Sequence, residues 1–307
     1  MTTLLLTHPD CLDHVTPPGH PEQVARTEAI GAALAAPGFD GLLRQDCPLA
    51  EDAQVARAHP QAYIDMIRKA VPDEGWRSLD ADTHLSPGSL KAALRGAGGA
   101  IAGVDAVMAG RARNAFVATR PPGHHAETQT PMGFCLFGNV VIGARHALEV
   151  QGLDQVAIVD FDVHHGNGTQ DLVWDDPRIF YVSTHQSPLY PGTGGTHETG
   201  AHGNVLNLPL PPHTDGRAYR SAFEAQVIPA LAAVRPQLIM VSAGFDGHWR
   251  DPLAQLQLKD QDYYWIGEQL MAIAKRHASG RLVASLEGGY DLAAITESVL
   301  AFSEAIE

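Results

Sequence analysis

The sequence predicts an α/β fold, a single domain with a mostly parallel central sheet and helices on both faces. Three observations lead there. Short β-branched or apolar runs recur between longer amphipathic stretches, no repeat or long linker divides the chain, and the glycine, histidine, aspartate and tyrosine clusters all follow apolar runs. In chain order the runs read as strands are Thr3–Thr7, Ala115–Thr119, Val156–Asp160, Ile179–Thr184, Asn204–Leu208, Leu238–Ser242 and Arg281–Leu286. Amphipathic, helix-like stretches lie at about Glu22–Ala36, Gln61–Ala70, Gly88–Ala109, Val140–Val150, Arg217–Val234, Asp260–His277 and Leu292–Glu304. In open parallel sheets, ligands bind beyond the carboxyl ends of the strands. The segments RPPGHHAE, FDVHHGNGT, AGFDGHWRDP and EGGYD each follow a strand, so one sheet edge is expected to carry the site.

Composition narrows the function classes. With 307 residues, 45% apolar and 18% charged, the chain has an ordinary globular balance, which excludes collagen-like, coiled-coil and disordered readings. A chain of this size buries most of its surface without disulfides or a structural metal. A formal charge of −14 argues against sequence-independent nucleic-acid binding, which needs a basic footprint. The acidic balance serves solubility or suits a cationic substrate. Cys11, Cys47 and Cys135 form no CxxC pair, so neither a disulfide framework nor a thiolate zinc site is expected. The opening MTTLLLTHPD lacks the basic segment and apolar length of a signal peptide. The small-residue stretch Gly96–Val104 meets Asp105 long before the roughly 18 apolar residues of a membrane span. The expectation is a soluble, cytoplasmic protein without membrane partners.

The motif richest in chemistry is Asp160-Phe-Asp162-Val-His164-His165-Gly166-Asn167-Gly168. Residues two apart on extended backbone share a face, so Asp160, Asp162 and His164 point the same way. Two carboxylates and an imidazole side by side repel and desolvate badly unless a cation joins them. The competing reading, a turn rich in polar caps, does not require this alternation. Asp246, in Ser242-Ala-Gly-Phe-Asp246-Gly, follows another strand and either caps the next helix or supplies a further ligand. Asp162, His164 and Asp246 together would give three N/O ligands and leave room for water and substrate, as a catalytic zinc site requires.

Arg120-Pro-Pro-Gly-His124-His125 sets adjacent histidines on a stiff loop. With the ligand count already met, they read as acid–base groups for a water activated at the metal. Such histidines need orienting partners on their other nitrogen, and Asp160 and Asn167 are the candidates. In Glu287-Gly-Gly-Tyr290-Asp, the tyrosine is either a core residue after a strand or a hydroxyl that donates to a developing oxyanion. No GxSxG elbow, P-loop, HExxH or GxGxxG after the first strand is present, and Gly192-Thr-Gly194-Gly195 reads as a turn.

On these motifs the chain resembles the histone deacetylase and acetylpolyamine amidohydrolase superfamily, nearer its class II branch. The resemblance spans nearly the whole chain, from His20-Pro-Glu22 to the Tyr290 loop, with four motifs in family order. It implies an arginase/deacetylase-like fold, residues 1–307 as a deacetylase catalytic domain, and metal-dependent hydrolysis of an acetylated amine. By motif, it implies Asp162, His164 and Asp246 as zinc ligands, His125 as general base and acid, His124 as its electrostatic partner, and Tyr290 as the carbonyl-polarising group. It aligns Gly133, Phe134 and Tyr190 with the acyl channel and Leu253 with its rim. It also implies a structural potassium ion near Asp160, Asp162, His164, Ser183 and Thr184, held mainly by backbone oxygens. Asn167 stands where the class I pattern has Asp, which favours class II, and Tyr290 stands where some class II members carry His. Gly138-Asn139 replaces the more usual Asn-Asn. Arg26 either lines an internal channel for acetate or makes a surface salt bridge. The implied partner is acetyl-lysine on a protein or peptide, or an acetylated small amine such as an acetylpolyamine. Leu253 tilts the choice toward acyl-lysine, because a polyamine-selective rim would place a carboxylate there. A catalytically dead binding module would lack a ligand or the tyrosine, and an arginase-type enzyme would add carboxylates for a second metal. The sequence leaves homo-oligomerisation open.

Overall fold

A computed structural model of the chain describes residues 3–307. Strand β1 (Thr3–Thr7) leads through a 3-10 turn (Pro9–Asp13) to helix α1 (Val24–Leu34), β2 (Leu43–Asp46), the short α2 (Asp52–Val55) and α3 (Gln61–Ala70). A small antiparallel pair, β3 (Arg77–Ser78) and β4 (His84–Leu85), precedes α4 (Ser89–Met108), β5 (Asn114–Val117) and α5 (Asn139–Glu149). Then come β6 (Val156–Asp160), α6 (Asn167–Val173), β7 (Ile179–Gln186) and β8 (Val205–Leu210). A continuous helical segment of α7 (Gly216–Ala222), a π-type turn (Phe223–Val227) and α8 (Ile228–Val234) leads to β9 (Leu238–Ala243), α9 (Asp260–His277), β10 (Leu282–Leu286) and α10 (Leu292–Ile306).

Eight strands form one sheet in the order β2-β1-β5-β10-β9-β6-β7-β8, and every neighbouring pair is parallel. The two-residue alternation of strand side chains divides the apolar residues between two cores. Ile158, Met240, Val283 and Val117 face the core shared with α3, α4 and α5. Val159, Val241, Ala284 and Phe116 face the core shared with α1, α9 and α10. Burial on both faces is why these strands read as continuous apolar runs. The small residues of α4 let that helix press against its neighbours: a Cβ at Gly98 would lie 2.0 Å from Pro48 O, and one at Gly99 2.7 Å from Val117 Cγ1. Among the described residues, no helix is long and apolar enough to cross a membrane.

The differences from the expected elements have local causes. The edge strand β2 (Leu-Arg-Gln-Asp) is mostly exposed and carries no apolar pattern to betray it. The expected Glu22–Ala36 helix starts only at Val24, after Gln23 in extended backbone (φ −136°, ψ 159°), with Glu22 turned inward as an ion-pair partner. The expected Arg217–Val234 helix is continuous but carries the π-type turn at its centre. Gly138, in place of the more usual Asn, fits its surroundings: a Cβ there would sit 2.6 Å from Leu172 Cδ1.

Gly138 N donates to His59 Nε2 at 2.9 Å, so the buried His59 ring is neutral and protonated on Nδ1, which faces Thr128 O at 3.3 Å. Burial lowers the His59 pKa to about 4. A histidine depressed in the folded state loses its contribution as pH falls below its unfolded value, because the unfolded chain binds the proton first. Replacement His59→Gln keeps an acceptor for Gly138 but does not titrate. The cost of this replacement, measured by denaturant unfolding, should therefore shrink between pH 6.5 and 4, by up to about 3 kcal/mol. A cost independent of pH would contradict the assignment.

Candidate active site

Register assembles the site. Asp160 of β6 pairs with Ser242 of β9, and Ser242 pairs with Ser285 of β10, so the three central strands end level. The loops that follow them, with the loop after β5, emerge from the same edge. Three buried residues on these loops, Asp162, His164 and Asp246, bring one ligand atom each to within 4.8 Å of one another. His164 Nδ1 stands 3.1 Å from both Asp162 Oδ1 and Asp246 Oδ2. Burial and the charge of Asp162 push Asp246 above the usual carboxylate range. Backbone donors reach both carboxylates: Gly288 N–H reaches Asp162 Oδ2 at 2.8 Å, His164 N–H reaches Asp162 Oδ1 at 2.9 Å, and Val163 N–H reaches Asp246 Oδ1 at 2.9 Å.

This donor set fits a divalent cation. Two carboxylate oxygens and one imidazole nitrogen converge in a buried place, where a cation would satisfy all three together. The backbone is also cut back around them. A Cβ at Gly244 would lie 2.1 Å from Asp162 Oδ2, and a Cβ at Gly288 would lie 2.1 Å from Asp246 Oδ2. Among the described residues this is the one group of three or more such side chains that close together.

The paired histidines lie beside it. His124 Nδ1 is 3.0 Å from Asp160 Oδ2, and Asp160 also accepts from Tyr181 Oη at 3.1 Å. Burial disfavours a charged His124, but Asp162 and Asp160 outweigh it and hold this ring well above the usual histidine range. His125 Nδ1 contacts Asn167 Oδ1 at 2.7 Å, while Asn167 Nδ2 donates to Glu127 Oε1 at 2.8 Å. That polarity fixes Asn167 as the acceptor, puts the His125 proton on Nδ1 and leaves Nε2 with its lone pair. Burial, then the nearby His124 and His164, push His125 well below the usual range.

A cavity of about 260 Å³ opens onto these groups, lined by Pro21, Asp82, His125, Gly133, Phe134, His164, Leu189, Tyr190, Leu253 and Tyr290. Phe134 meets the Tyr290 ring edge-on at 5.9 Å, and Tyr190 meets His125 at 5.2 Å. Burial keeps the Tyr290 phenol well above its ordinary pKa and therefore protonated. Gly133 has φ +54°, and a Cβ there would fall 2.4 Å from His125 Cδ2, so only glycine lets the channel wall pass the histidine.

The expected positions Asp160, Asp162, His164, Asp246, His124, His125, Asn167, Gly133, Phe134, Tyr190, Leu253 and Tyr290 are thus gathered at one edge. Ser183 and Thr184 lie within the second half of β7, with side chains engaged elsewhere: Ser183 Oγ with His185 at 2.9 Å and Thr184 Oγ1 with Tyr219 Oη at 2.7 Å. The surface salt bridge considered for Arg26 is wrong. Its side chain is fully buried and bonds Glu22 at 3.1 Å and Gly289 O at 2.6 Å, with the guanidinium 4.9 Å from the Tyr290 ring centre. Glu22 is also gripped by the buried Arg120, with Nη2 to Oε2 at 2.6 Å, which ties the His20-Pro-Glu22 segment to the histidine loop. Sequence reasoning passed over Asp82, Leu189 and Pro21 on the cavity wall. It also passed over Asp251 and the carboxylate of Glu287, which accept backbone N–H bonds next to the site. Asp251 directly follows the Asp246 motif, but its partners depend on how two loops meet.

Comparison with known proteins is consistent across three measures. The sequence model of the histone deacetylase domain matches residues 20–306. The chain is 41% identical over 301 residues to "Histone deacetylase 14, chloroplastic" of Arabidopsis thaliana, covering 91% of this chain and 71% of that protein. It is 39% identical over 298 residues to "Histone deacetylase-like amidohydrolase" of Pseudomonas aeruginosa, covering 94% and 78%. The crystal structure of the HDA15 HD domain matches with a TM-score of 0.94 at 30% identity, over 99% of this chain and 88% of that one.

Metal analysis of protein loaded with a divalent ion and then desalted should find about one equivalent. The Asp246→Ala variant, still folded by circular dichroism, should lose it. Full occupancy in that variant would remove Asp246 from the ligand set.

Proposed function

The chain belongs to the histone deacetylase family, and on that premise we propose that it is a zinc-dependent amidohydrolase that removes acetyl groups from lysine side chains of proteins or peptides. The observation that carries this reading is the His/Asp triad whose His164 lines an aromatic-walled cavity together with His125 and Tyr290. Asp162, His164 and Asp246 would hold the zinc ion. When bound, zinc supplies Lewis acidity, polarising an amide carbonyl and lowering the pKa of water.

The remaining work falls to the chain's own side chains. His125 Nε2 takes a proton from the attacking water and delivers it to the leaving amine, which its neutral resting form permits. His124, held charged by Asp160, contributes a fixed positive field instead of a transferable proton. The Tyr290 hydroxyl donates to the oxyanion that develops on the acetyl carbonyl. Phe134 and Tyr190, with Gly133 between Phe134 and the histidine, enclose the methylene chain of the substrate, and Leu253 forms the rim. By the family resemblance alone, a structural potassium ion would be held near Asp160, Asp162, His164, Ser183 and Thr184.

A second reading, an acetylpolyamine or other acetylated small amine as substrate, is favoured by Asp82, the carboxylate on the cavity wall. The experiment that tests the function compares kcat/KM of the zinc-loaded protein on acetyl-lysine peptides and on acetylpolyamines. Higher values on peptides support the lysine reading, higher values on acetylpolyamines support the second, and no acetate release from either rejects both.

Replacing Tyr290 by Phe should lower kcat by about 10²–10³-fold with a much smaller change in KM. Near-normal turnover would show that another group polarises the carbonyl.

A further inference from the structure

Beyond the ligands and histidines lies a buried carboxylate to which the proposed reaction gives no role. Asp251 is 6% exposed and does not line the cavity, yet it touches two residues that do. Its Oδ2 accepts the Tyr290 N–H at 2.7 Å, and its Oδ1 accepts the Leu253 N–H at 3.0 Å. Among the described residues no ion pair reaches it. A carboxylate kept from water without a counter-ion is costly, and a neutral side chain would close the loop more cheaply. What the carboxylate offers is two acceptor oxygens fixed on one rigid group, so the Tyr290 and Leu253 backbones are held at a set spacing.

The peptide that joins Gly289 to Tyr290 is held on two sides: its carbonyl accepts from Arg26 Nε at 2.6 Å, and its N–H donates to Asp251 Oδ2 at 2.7 Å. Gly289 has φ +118°, a conformation that favours glycine. The loop after β9 meets the loop after β10 at Phe245 N–H to Gly288 O, 3.0 Å, and at the Asp251 tether. Of these two contacts, the second is the one that reaches the residue carrying the phenol and links it to the Leu253 rim.

We infer that Asp251 is a positioning residue, tying the Tyr290 phenol to the Leu253 rim so that the substrate entrance and the oxyanion donor move as one unit. The inference rests on the proposed role of Tyr290, and its test has one arm that does not need activity. In hydrogen exchange, the Tyr290 and Leu253 amides of the unmutated chain should be protected. In Asp251→Asn, which keeps the volume but loses one of the paired acceptors, they should exchange about tenfold faster while β9 and β10 stay unchanged. In the zinc-loaded form this variant should lose about 10- to 100-fold in kcat, with KM within about threefold and metal content equal to the parent. In a Tyr290→Phe background the same substitution should cost less than about threefold, because the group it positions is gone. Unprotected Tyr290 in the unmutated chain overturns the tether even if no variant folds. Faster exchange with unchanged kcat, or a cost that multiplies fully with Tyr290→Phe, overturns the positioning role. If the unmutated enzyme releases no acetate, the proposed function fails, and the exchange arm still decides whether Asp251 holds the loop.

Discussion

The constraint on which the rest of the structure depends is the burial of five carboxylates at one edge of the sheet. Asp160, Asp162, Asp246, Asp251 and Glu287 are each 6% exposed or less. Each must be answered by positive charge or by hydrogen-bond donors, since an unanswered buried charge outweighs most single stabilising contacts. Asp160 has His124 and Tyr181. Glu287 takes Gly123 N–H at 2.7 Å, His124 N–H at 3.2 Å and Ser242 Oγ at 3.0 Å, and burial still pushes its pKa up to about 7. Asp251 has two backbone N–H groups. Asp162 Oδ1 and Asp246 Oδ2 converge on the shared His164, and that convergence is the candidate metal site.

The same accounting explains why distant segments converge on the edge. Glu287 holds the histidine loop from below through backbone N–H groups. Arg120 and Arg26 hold Glu22, and burial of that carboxylate is outweighed by Arg120 and His14, which keep it well below the usual range. Arg26 extends the brace to the carbonyls of Glu287 and Gly289. The His20-Pro-Glu22, histidine and Tyr290 segments are therefore bound into one buried network, although more than 260 positions separate Arg26 from Gly289. This is pre-organisation: the groups that would face a substrate are held by partners that do not.

Much of this was legible in the sequence, for definite reasons. The central strands announced themselves because burial on both faces demands unbroken apolar runs, and the candidate triad because its Asp and His residues follow two of those runs. The extended spacing expected of Asp162 and His164 is not what joins them, since β6 ends at Asp160 and 161–166 is a bent loop. Strand β2 stayed hidden because an exposed edge needs no such pattern, and α6 because Asn167–Val173 opens inside the metal motif itself. Arg26 was open between two readings because local sequence does not reveal whether a helix face looks inward. Asp82, Asp251 and Glu287 act through backbone donors or cavity position, and those depend on loop meetings with no signature in residue spacing.

The central claim is that one divalent cation answers Asp162, His164 and Asp246 together. Anomalous diffraction at the zinc edge, on crystals of the zinc-loaded protein, tests it most directly. The account predicts a single strong peak about 2.0–2.2 Å from His164 Nδ1 and from one oxygen of each aspartate. A peak elsewhere, or none at these three side chains in a protein shown to carry zinc, would contradict it.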